Sequence, residues 1–438
     1  MDTAVQPEKL PWPLWRKISF RFFFIYLILF IGPWGWFSII PGVNYMLNFY
    51  YELLDWLVIK SNYHFFQVFG VKNVKPVYNG SGDTSYNWAT LAFFFCVSVI
   101  GCIIWSLIQR RKINYRQMNY LLCLLVRYNL ALVAFQYGFD KVMMLQMQFP
   151  TWSQLATPLG DFLPMRFSWM FIGYSAPYQI FSGVMEVMVG ILLLWRRTAT
   201  LGVLVATAVF INVMMLNLCY DIPVKLYAMH LVLMCFYLLA NEYQRIACFF
   251  VLNKPAPLCN IYSYPLTKKW MRVSKVILKL GIVFIICKGI SETQNVYNYY
   301  IGAKEIKPMN SGVYDVTAFV VNNDTIAPLQ SDTLRWMDLI IDEGGVGSIR
   351  TSDTAFRRRY GRAYFNFAAD TAKQMLHLKK NAQSSAFIVS FNYQIPDSNT
   401  IYLRGKKGMD SLYVTLKKSN RHFQLAKRQF HWLSEANR

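Results

Sequence analysis

Three ionisable residues stand out inside the long apolar stretches of this 438-residue chain. They are Arg127, Glu186 and His230. An ionisable side chain at the centre of a membrane span costs at least about 2.5–3.5 kcal/mol, so it needs either a partner or a function. Because Arg127 and Glu186 carry opposite charges, we expect them to form an ion pair.

The depth of each residue in its predicted helix supports this pairing. Counted at about 1.5 Å per residue from the basic ends of the helices, the three side chains lie roughly 12–16 Å deep, in one layer. Small residues, which let membrane helices approach closely, share the helix faces of Arg127 and Glu186. These small residues are Ala131, Ala134, Gly138, Gly183 and Gly190.

The chemistry of this layer has two open interpretations. One is a buried ion pair that only fixes the register of the helices. The other is a redox, proton or ligand site formed by Arg127, Glu186 and His230. For His230 taken alone, a hydrogen-bonded core histidine is favoured over a proton carrier.

A second polar layer is predicted at the opposite ends of the same helices. Asp221 and Lys225 are four residues apart around Pro223. Charged side chains near lipid headgroups often only extend toward water, and this interpretation is favoured over ligand binding. The candidate binding residues of this layer are Asp140, Lys141, Asp221 and Lys225, with Asp161 beside them.

Membrane helices must position these residues, because the first two-thirds of the chain is strongly apolar. Hydrophobic residues make up 55% of the chain and charged residues only 16%, against about 25% in soluble proteins. Seven apolar runs approach or exceed the roughly 20 residues that span a bilayer. The predicted spans are 18–40, 86–108, 119–141, 171–195, 198–219, 224–241 and 273–291.

The basic residues predict the orientation of these spans. The net charge is +22, but many of the positive charges flank apolar runs, which is typical of cytoplasmic loops and argues against nucleic-acid binding. Seven crossings from a cytoplasmic amino terminus leave the carboxy terminus outside. The basic segments are Lys9–Lys17, Arg110–Arg116, Arg196–Arg197 and Arg245–Arg272.

Residues 291–438 change to the alternating pattern of strands. Runs such as Gly312–Val321 and Phe387–Tyr393 alternate apolar and polar residues between turn-forming segments. Seven or eight short strands at this spacing predict an antiparallel barrel or sandwich. All eight cysteines precede residue 291 and none forms a C-x-x-C pair. The sequence therefore predicts two domains, a helical bundle at 1–290 and an exoplasmic β domain at 291–438 without disulfides, and no metal site.

Two further segments are expected to lie outside the membrane on the same side. Tyr51–Phe69 mixes aromatic with charged residues, and Pro150–Trp169 is interrupted by Pro158 and Pro164. Amphipathic segments of this kind lie along lipid headgroups. Simple connecting loops are an equally good interpretation.

The residues around these polar groups resemble the DoxX family of bacterial membrane proteins. The resemblance covers about residues 119–250 and is to a longer Bacteroidetes-type variant with a soluble carboxy-terminal domain. It implies a lipocalin-like barrel in that domain and a bacterial inner-membrane location. The matching segments are Arg127–Leu130, Gly138–Lys141, Gly183–Gly190, Arg196–Thr198 and Asn217–Lys225, followed by Gly312–Val321, Asp410–Tyr413 and Phe430–Trp432.

Two functions follow as hypotheses. The family name comes from a subunit associated with a thiosulfate:quinone oxidoreductase, so the resemblance suggests a quinone-linked or redox-accessory protein, with quinone bound near Arg127, Glu186 and His230. The alternative is a non-enzymatic membrane scaffold whose barrel binds a lipid, a small apolar ligand or an envelope protein. The sequence carries no motif of the vitamin-K-dependent carboxylase group and no inverted repeat typical of transporters.

Overall fold

The computed structural model describes residues 11–77, 79–112, 114–256, 269–302, 309–328, 335–351, 356–427 and 432–433. The chain divides into two compact units. The first contains Met1–Val142 and Ile180–Ser291, and the second contains Met143–Gln179 and Glu292–Arg438. One division between the units lies between Ser291 and Glu292, and the second unit also contains the segment 143–179.

Apolar helices of varied length form most of the first unit. Five segments within the described residues are long and apolar enough to cross a membrane: Leu14–Ser38, Ser85–Ile108, Arg116–Val142, Ala176–Leu194 and Ala199–Cys219. The described helices, numbered in chain order, are α1 (Leu14–Ile31), α2 (Val43–Ser61), α3 (Ser85–Ile108), α4 (Arg116–Val142), α5 (Trp152–Leu155), α6 (Pro164–Tyr174), α7 (Ala176–Leu194), α8 (Ala199–Cys219), α9 (Lys225–Asn241), α10 (Tyr243–Phe250), α11 (Lys269–Gly302) and α12 (Gln424–Lys427).

The remaining predicted spans correspond to less regular features. The helices α9 and α10 meet at a bend of 77° and would make a sixth span if counted together. The predicted span 273–291 lies within α11. The predicted span 171–195 is divided at Ser175, where an extended backbone separates α6 from α7. The structure thus gives about five candidate spans, and the count of seven stays a prediction.

Helix α4 is the central helix of the bundle. Within its most apolar stretch 67% of the residues are buried, against 17–33% for the other four candidate spans. Apolar side chains of α4 form one continuous core with those of α1, α8 and α9. The outer faces of the other helices carry exposed apolar side chains, as lipid-facing helices do.

The second unit is built on a closed antiparallel barrel. Among the described residues, eight strands follow the order β1-β3-β4-β6-β7-β8-β9-β10, and β10 pairs back onto β1 through Tyr314 and Lys418. The predicted β class is confirmed, although Phe430 and His431 of the family motif lie outside the described residues. The strands are β1 (Gly312–Val321), β2 (Asp324–Thr325), β3 (Asp338–Ile341), β4 (Val346–Ile349), β5 (Arg357–Arg359), β6 (Arg362–Asp370), β7 (Met375–Lys379), β8 (Phe387–Asp397), β9 (Thr400–Lys407) and β10 (Asp410–Lys418).

The barrel core is packed with large side chains. Alternate residues of the strands point inward, as the two-residue period of a strand requires, and they form one buried cluster. Trp336 lies in this cluster, with ring centroids 5.7 Å from Phe319 and 5.8 Å from Phe391. The described inward positions therefore fill the barrel with protein side chains.

The segment 143–179 belongs to the barrel unit because α5 packs on the strands. Ala156, directly after α5, forms a buried cluster with Val313 of β1 and Ile340 of β3. The sequence placed Pro150–Trp169 along lipid headgroups or in a loop. Its first helix, α5, instead covers one part of the barrel surface. Pro158 and Pro164 gave no reason to expect this contact.

Candidate functional site

The buried carboxylate of Glu186 pairs with Lys141. The Nζ atom of Lys141 donates to both carboxylate oxygens of Glu186 at 2.7 Å. The side chains are 9% and 3% exposed, respectively. Lys141 was placed in the second polar layer and Glu186 in the first, so the structure joins residues that the sequence assigned to different layers.

Two glycines bring these side chains together. A Cβ atom built on Gly183 would lie 2.7 Å from the carbonyl oxygen of Gly138, and one on Gly138 would lie 2.9 Å from that of Gly183. The backbones of α4 and α7 therefore touch at this point. Lys141 and Glu186 each follow one of these glycines by three residues, or about one helical turn. The two small-residue faces predicted from the sequence are thus buried against each other.

The predicted pair between Arg127 and Glu186 is wrong. Arg127 lies eleven residues before Gly138, which places it about 16 Å along α4 from the glycine contact. Its guanidinium group is buried and lies 4.8 Å from the ring centroid of Tyr128. The depth estimate failed because it counted from the helix ends, whereas α4 and α7 are offset along their axes.

His230 is a hydrogen-bonded core residue. Its Nδ1 lies 2.6 Å from the carbonyl oxygen of Leu226, and its Nε2 lies 2.6 Å from the hydroxyl oxygen of Tyr26. Because a carbonyl only accepts, Nδ1 carries the proton and Nε2 accepts from the tyrosine. The ring also stacks on the ring of Phe30, with the two ring centroids 3.9 Å apart. This confirms the favoured interpretation, and both ring nitrogens bond to residues other than Arg127 and Glu186.

The other residues of the second polar layer separate into different environments. Lys225 pairs with Asp221 at 2.7 Å, as their spacing suggested, and it also lies 3.6 Å from Asp83. Asp140 is half-buried beside Lys141 on α4. Asp161 belongs to the second unit.

Asp83 is a residue that the sequence analysis missed. Its carboxylate accepts hydrogen bonds from the backbone nitrogens of Lys225 and Leu226, at 2.8 and 2.9 Å. It therefore caps the amino terminus of α9, where unpaired N–H groups favour a negative charge. The residues are 142 positions apart, so no local sequence signal connects them.

A buried polar network lies in the second unit. Arg362 donates to both carboxylate oxygens of Asp338, at 3.2 and 2.5 Å, and its Nε donates to the Ser348 hydroxyl at 2.8 Å. That hydroxyl lies 2.6 Å from the hydroxyl of Ser153 in α5. The network therefore ties α5 to strands β3, β4 and β6.

Asp342 holds the start of α5. Its carboxylate accepts a hydrogen bond of 3.1 Å from the backbone nitrogen of Ser153. Burial raises the pKa of the Asp342 carboxyl above its ordinary value, while hydrogen bonds from Ser153 and Thr151 and the nearby Arg362 act in the opposite direction. Burial is the largest effect, because a charge loses its hydration there.

A groove of about 1020 Å³ lies in the second unit. It lies between the segment around α5 and strands β4 to β6. Its walls carry both apolar and basic side chains, together with two carboxylates, Asp342 and Glu343. Its apolar walls include Phe149, Pro150, Trp152, Leu155 and Phe365, and its cations are Arg166, Arg359 and Lys380.

A shallower groove of about 650 Å³ lies on the outer surface of strands β8 to β10 and β1. It is lined by polar residues such as Asn392 and Arg404. Within the described part of the chain, no group of three His, Cys, Asp or Glu residues is arranged to hold a metal ion. No disulfide bond joins any two of the seven described cysteines.

The fold and these sites define a class: a protein with a bundle of apolar, membrane-type helices and a closed β-barrel unit. No protein-family model matches the chain, and no solved structure matches it. One similar protein is the uncharacterized protein YwoB of Bacillus subtilis (strain 168), which is 39% identical over 72 residues. That alignment covers 16% of this chain and 47% of YwoB, so the match spans about half the length of the relative.

Proposed function

We propose that this chain is a multi-pass bacterial membrane protein whose barrel unit binds an amphiphilic ligand. Its helices anchor the barrel unit on the exoplasmic side of the inner membrane. The observation that carries the proposal is the groove of about 1020 Å³ beside α5. Its mixture of aromatic, aliphatic and basic side chains matches a molecule with an apolar body and a polar end.

The packed barrel core supports placing the ligand in this groove. In a barrel that carries a ligand inside, the inward side chains leave an open cavity. Here Phe319, Trp336 and Phe391 occupy the interior together. We therefore propose a lipocalin-like order of the strands, with the ligand bound in the groove and not inside the barrel.

The proposed topology has seven spans, with the amino terminus in the cytoplasm. The basic segments on one side of the predicted spans support it. A phosphatase fused after Arg438 should be active in a bacterial periplasm. An inactive phosphatase combined with an active cytoplasmic reporter at the same position would overturn the proposal.

A quinone-linked function has weaker support. The residues expected to bind the quinone head group already contact protein: Glu186 binds Lys141, and both ring nitrogens of His230 have partners. These contacts favour a role in helix packing. Membership of the DoxX family and a redox-accessory role stay predictions from the sequence resemblance.

The ligand can be sought directly in the purified protein. The full-length chain, extracted in mild detergent, should carry an apolar or amphiphilic molecule that native mass spectrometry and lipid analysis identify. Phe149 and Trp152 line the groove and are 47% and 37% exposed. Because each aromatic ring contributes about 1.5–3 kcal/mol when buried, the double change Phe149→Ala/Trp152→Ala should reduce retention at least about tenfold.

The matched control is Phe387→Ala, on the outer surface of β8. Phe387 is 50% exposed and does not line the groove, so this variant should retain the ligand. Equal retention in the groove variant and the control would refute the proposal. Recovery of a quinone that the groove variant still retains would support the redox hypothesis instead.

A further inference from the structure

One tyrosine in the groove holds two arginines. The turn between β5 and β6 consists of Tyr360 and Gly361, with φ values of +52° and +68°. Two-residue hairpin turns with positive φ at both positions favour Asn, Asp or Gly, and a bulky residue is strained there. The turn therefore keeps a tyrosine where the backbone alone would favour a small residue.

The ring of Tyr360 lies beside two cations. The guanidinium carbon of Arg359 lies 4.7 Å from the ring centroid, and that of Arg166 lies 5.6 Å from it. The Nε of Arg166 also donates to the Tyr360 hydroxyl at 3.1 Å. A guanidinium group over an aromatic face is held in place but keeps its remaining N–H groups available.

The carboxylates nearby leave these arginines available for an anion. Within the described residues, neither Arg166 nor Arg359 lies in an ion pair, and Asp161 packs against Gly361 without pairing with either. Asp342 and Glu343 line the same groove, and within the described part of the chain neither forms an ion pair with these arginines; Asp342 accepts a hydrogen bond from Ser153. Two oriented guanidinium groups match the oxygen atoms of a phosphate group, which arginine binds in bidentate fashion.

Exposed apolar side chains lie on the helix that carries Arg166 and in the segment before it, and we call these four residues the stripe. Phe167 and Phe171 lie four residues apart on α6, whereas Leu159 and Leu163 precede the helix. On another face of α6, Ser168 and Ile172 are buried. A helix with one apolar face and a cation beside it lies along the headgroup region of a membrane. The stripe consists of Leu159, Leu163, Phe167 and Phe171, which are 70%, 63%, 42% and 69% exposed.

We propose that Arg166 and Arg359, oriented by Tyr360, bind the phosphate group of a membrane lipid while the stripe of α6 lies in the same leaflet. The proposal rests on the proposed function and specifies the polar end of its amphiphilic ligand. Lys380, which lines the same groove, adds a third positive charge. The exposed stripe beside the cations identifies the source of the phosphate as a lipid headgroup and not a soluble phosphate.

The experiment compares lipids on the full-length protein in mild detergent. Binding of phosphatidic acid, phosphatidylglycerol and phosphatidylcholine is measured by native mass spectrometry. The double variant Arg166→Gln/Arg359→Gln should lose its preference for the two anionic lipids by at least about tenfold, because two charge-assisted contacts disappear. The matched control is Arg404→Gln, whose guanidinium lies over Tyr413 outside the groove, at 5.2 Å.

A second variant separates the binding role from folding. Tyr360→Asn suits the positive φ of the turn, so the barrel should fold at least as well while the arginines lose their support. It should therefore lose the same lipid preference with an unchanged or raised Tm. Unaltered preference in both groove variants would refute the inference.

Two further outcomes are informative. Displacement of phosphatidic acid from the wild-type groove by millimolar inorganic phosphate alone would assign the site to a soluble ligand and refute the lipid source. Loss of all bound lipid in Phe149→Ala/Trp152→Ala, with unchanged headgroup preference in the arginine variants, would retain the proposed function and refute only this inference.

Discussion

Each unit contains a buried ion pair, and the two pairs differ in how their charged groups are hydrogen-bonded. In the helical bundle, Lys141 and Glu186 pair through one ammonium group. In the barrel unit, Arg362 binds Asp338 and also donates to Ser348. The first is a pair between two helices, whereas the second is part of a network that satisfies more of its donors.

The two pairs also reach their geometry by different routes. The helix pair depends on a backbone contact between Gly138 and Gly183, which belong to different helices. The barrel pair joins β3 and β6, whose residues are brought together by the ladder through β4. Helix packing therefore depends on small residues at the contact, whereas strand pairing sets the barrel contact through hydrogen-bond register. The comparison predicts how much stability the protein should lose when each pair is disrupted.

The largest expected effect is in the barrel. Asp338→Ala leaves Arg362 buried and charged, because a guanidinium group does not release its proton in proteins. Breaking a buried pair costs about 3–5 kcal/mol, and this variant should reach the upper part of that range. Glu186→Ala should cost less, because it leaves one ammonium group without its partner, whereas Asp338→Ala affects a guanidinium group with five N–H donors. Thermal unfolding of both full-length variants measures the difference.

The control for this comparison removes both charges. Lys141→Met/Glu186→Leu should recover most of the stability lost in Glu186→Ala, because no unpaired charge remains. A double variant less stable than Glu186→Ala would mean that the pair has a role beyond charge neutralisation. That result would revive the hypothesis of a functional membrane site.

The glycine contact should show the next largest effect. Gly183→Ala places a methyl group 2.7 Å from the Gly138 carbonyl oxygen, so α4 and α7 must separate. Overpacking of this kind costs about 1–3 kcal/mol, and the separation should also weaken the ion pair. Gly281→Ala is the matched control, since a Cβ there meets nothing within 4 Å. Equal Tm values for the two variants would refute the close contact.

The buried carboxyl of Asp342 should make the stability of the barrel unit depend on pH. Burial raises its folded-state pKa above the ordinary value of 3.8, so the folded state favours the protonated carboxyl. The stabilisation is complete below pH 3.8 and is lost as the pH rises through the raised pKa. The Tm of the wild-type protein should therefore increase on mild acidification relative to Asp342→Asn. A difference in Tm that does not change with pH would contradict the assignment.

The smallest effect is expected at the exposed pair of Asp221 and Lys225. The Asp221 side chain is 80% exposed, and exposed ion pairs contribute about 0–1 kcal/mol. Asp221→Asn should therefore change the Tm little. Asp83→Asn, which weakens the cap of α9, should cost more than Asp221→Asn. The reverse order would show that the cap does not hold the helix.

Several features of the protein were accessible from local sequence patterns. Long apolar runs identified helices that are long and apolar enough to span a membrane. The alternation in Gly312–Val321 identified a strand of the barrel. The faces containing Gly138 and Gly183 were recognised as helix contacts, and the core role of His230 was the favoured interpretation. These predictions succeeded because each depends on residues within one element.

The contacts that the sequence analysis predicted wrongly or missed share one cause. The offset between α4 and α7 determines that Glu186 meets Lys141 and not Arg127, and no pattern within either helix records that offset. The same applies to Asp83 at the start of α9 and to α5 on the barrel, whose partners are 142 and 189 residues away. Hydrophobic periodicity thus determined which elements form and which faces are buried. Only the packing of distant elements decided which charges meet, because that choice depends on the relative shift of whole helices and strands.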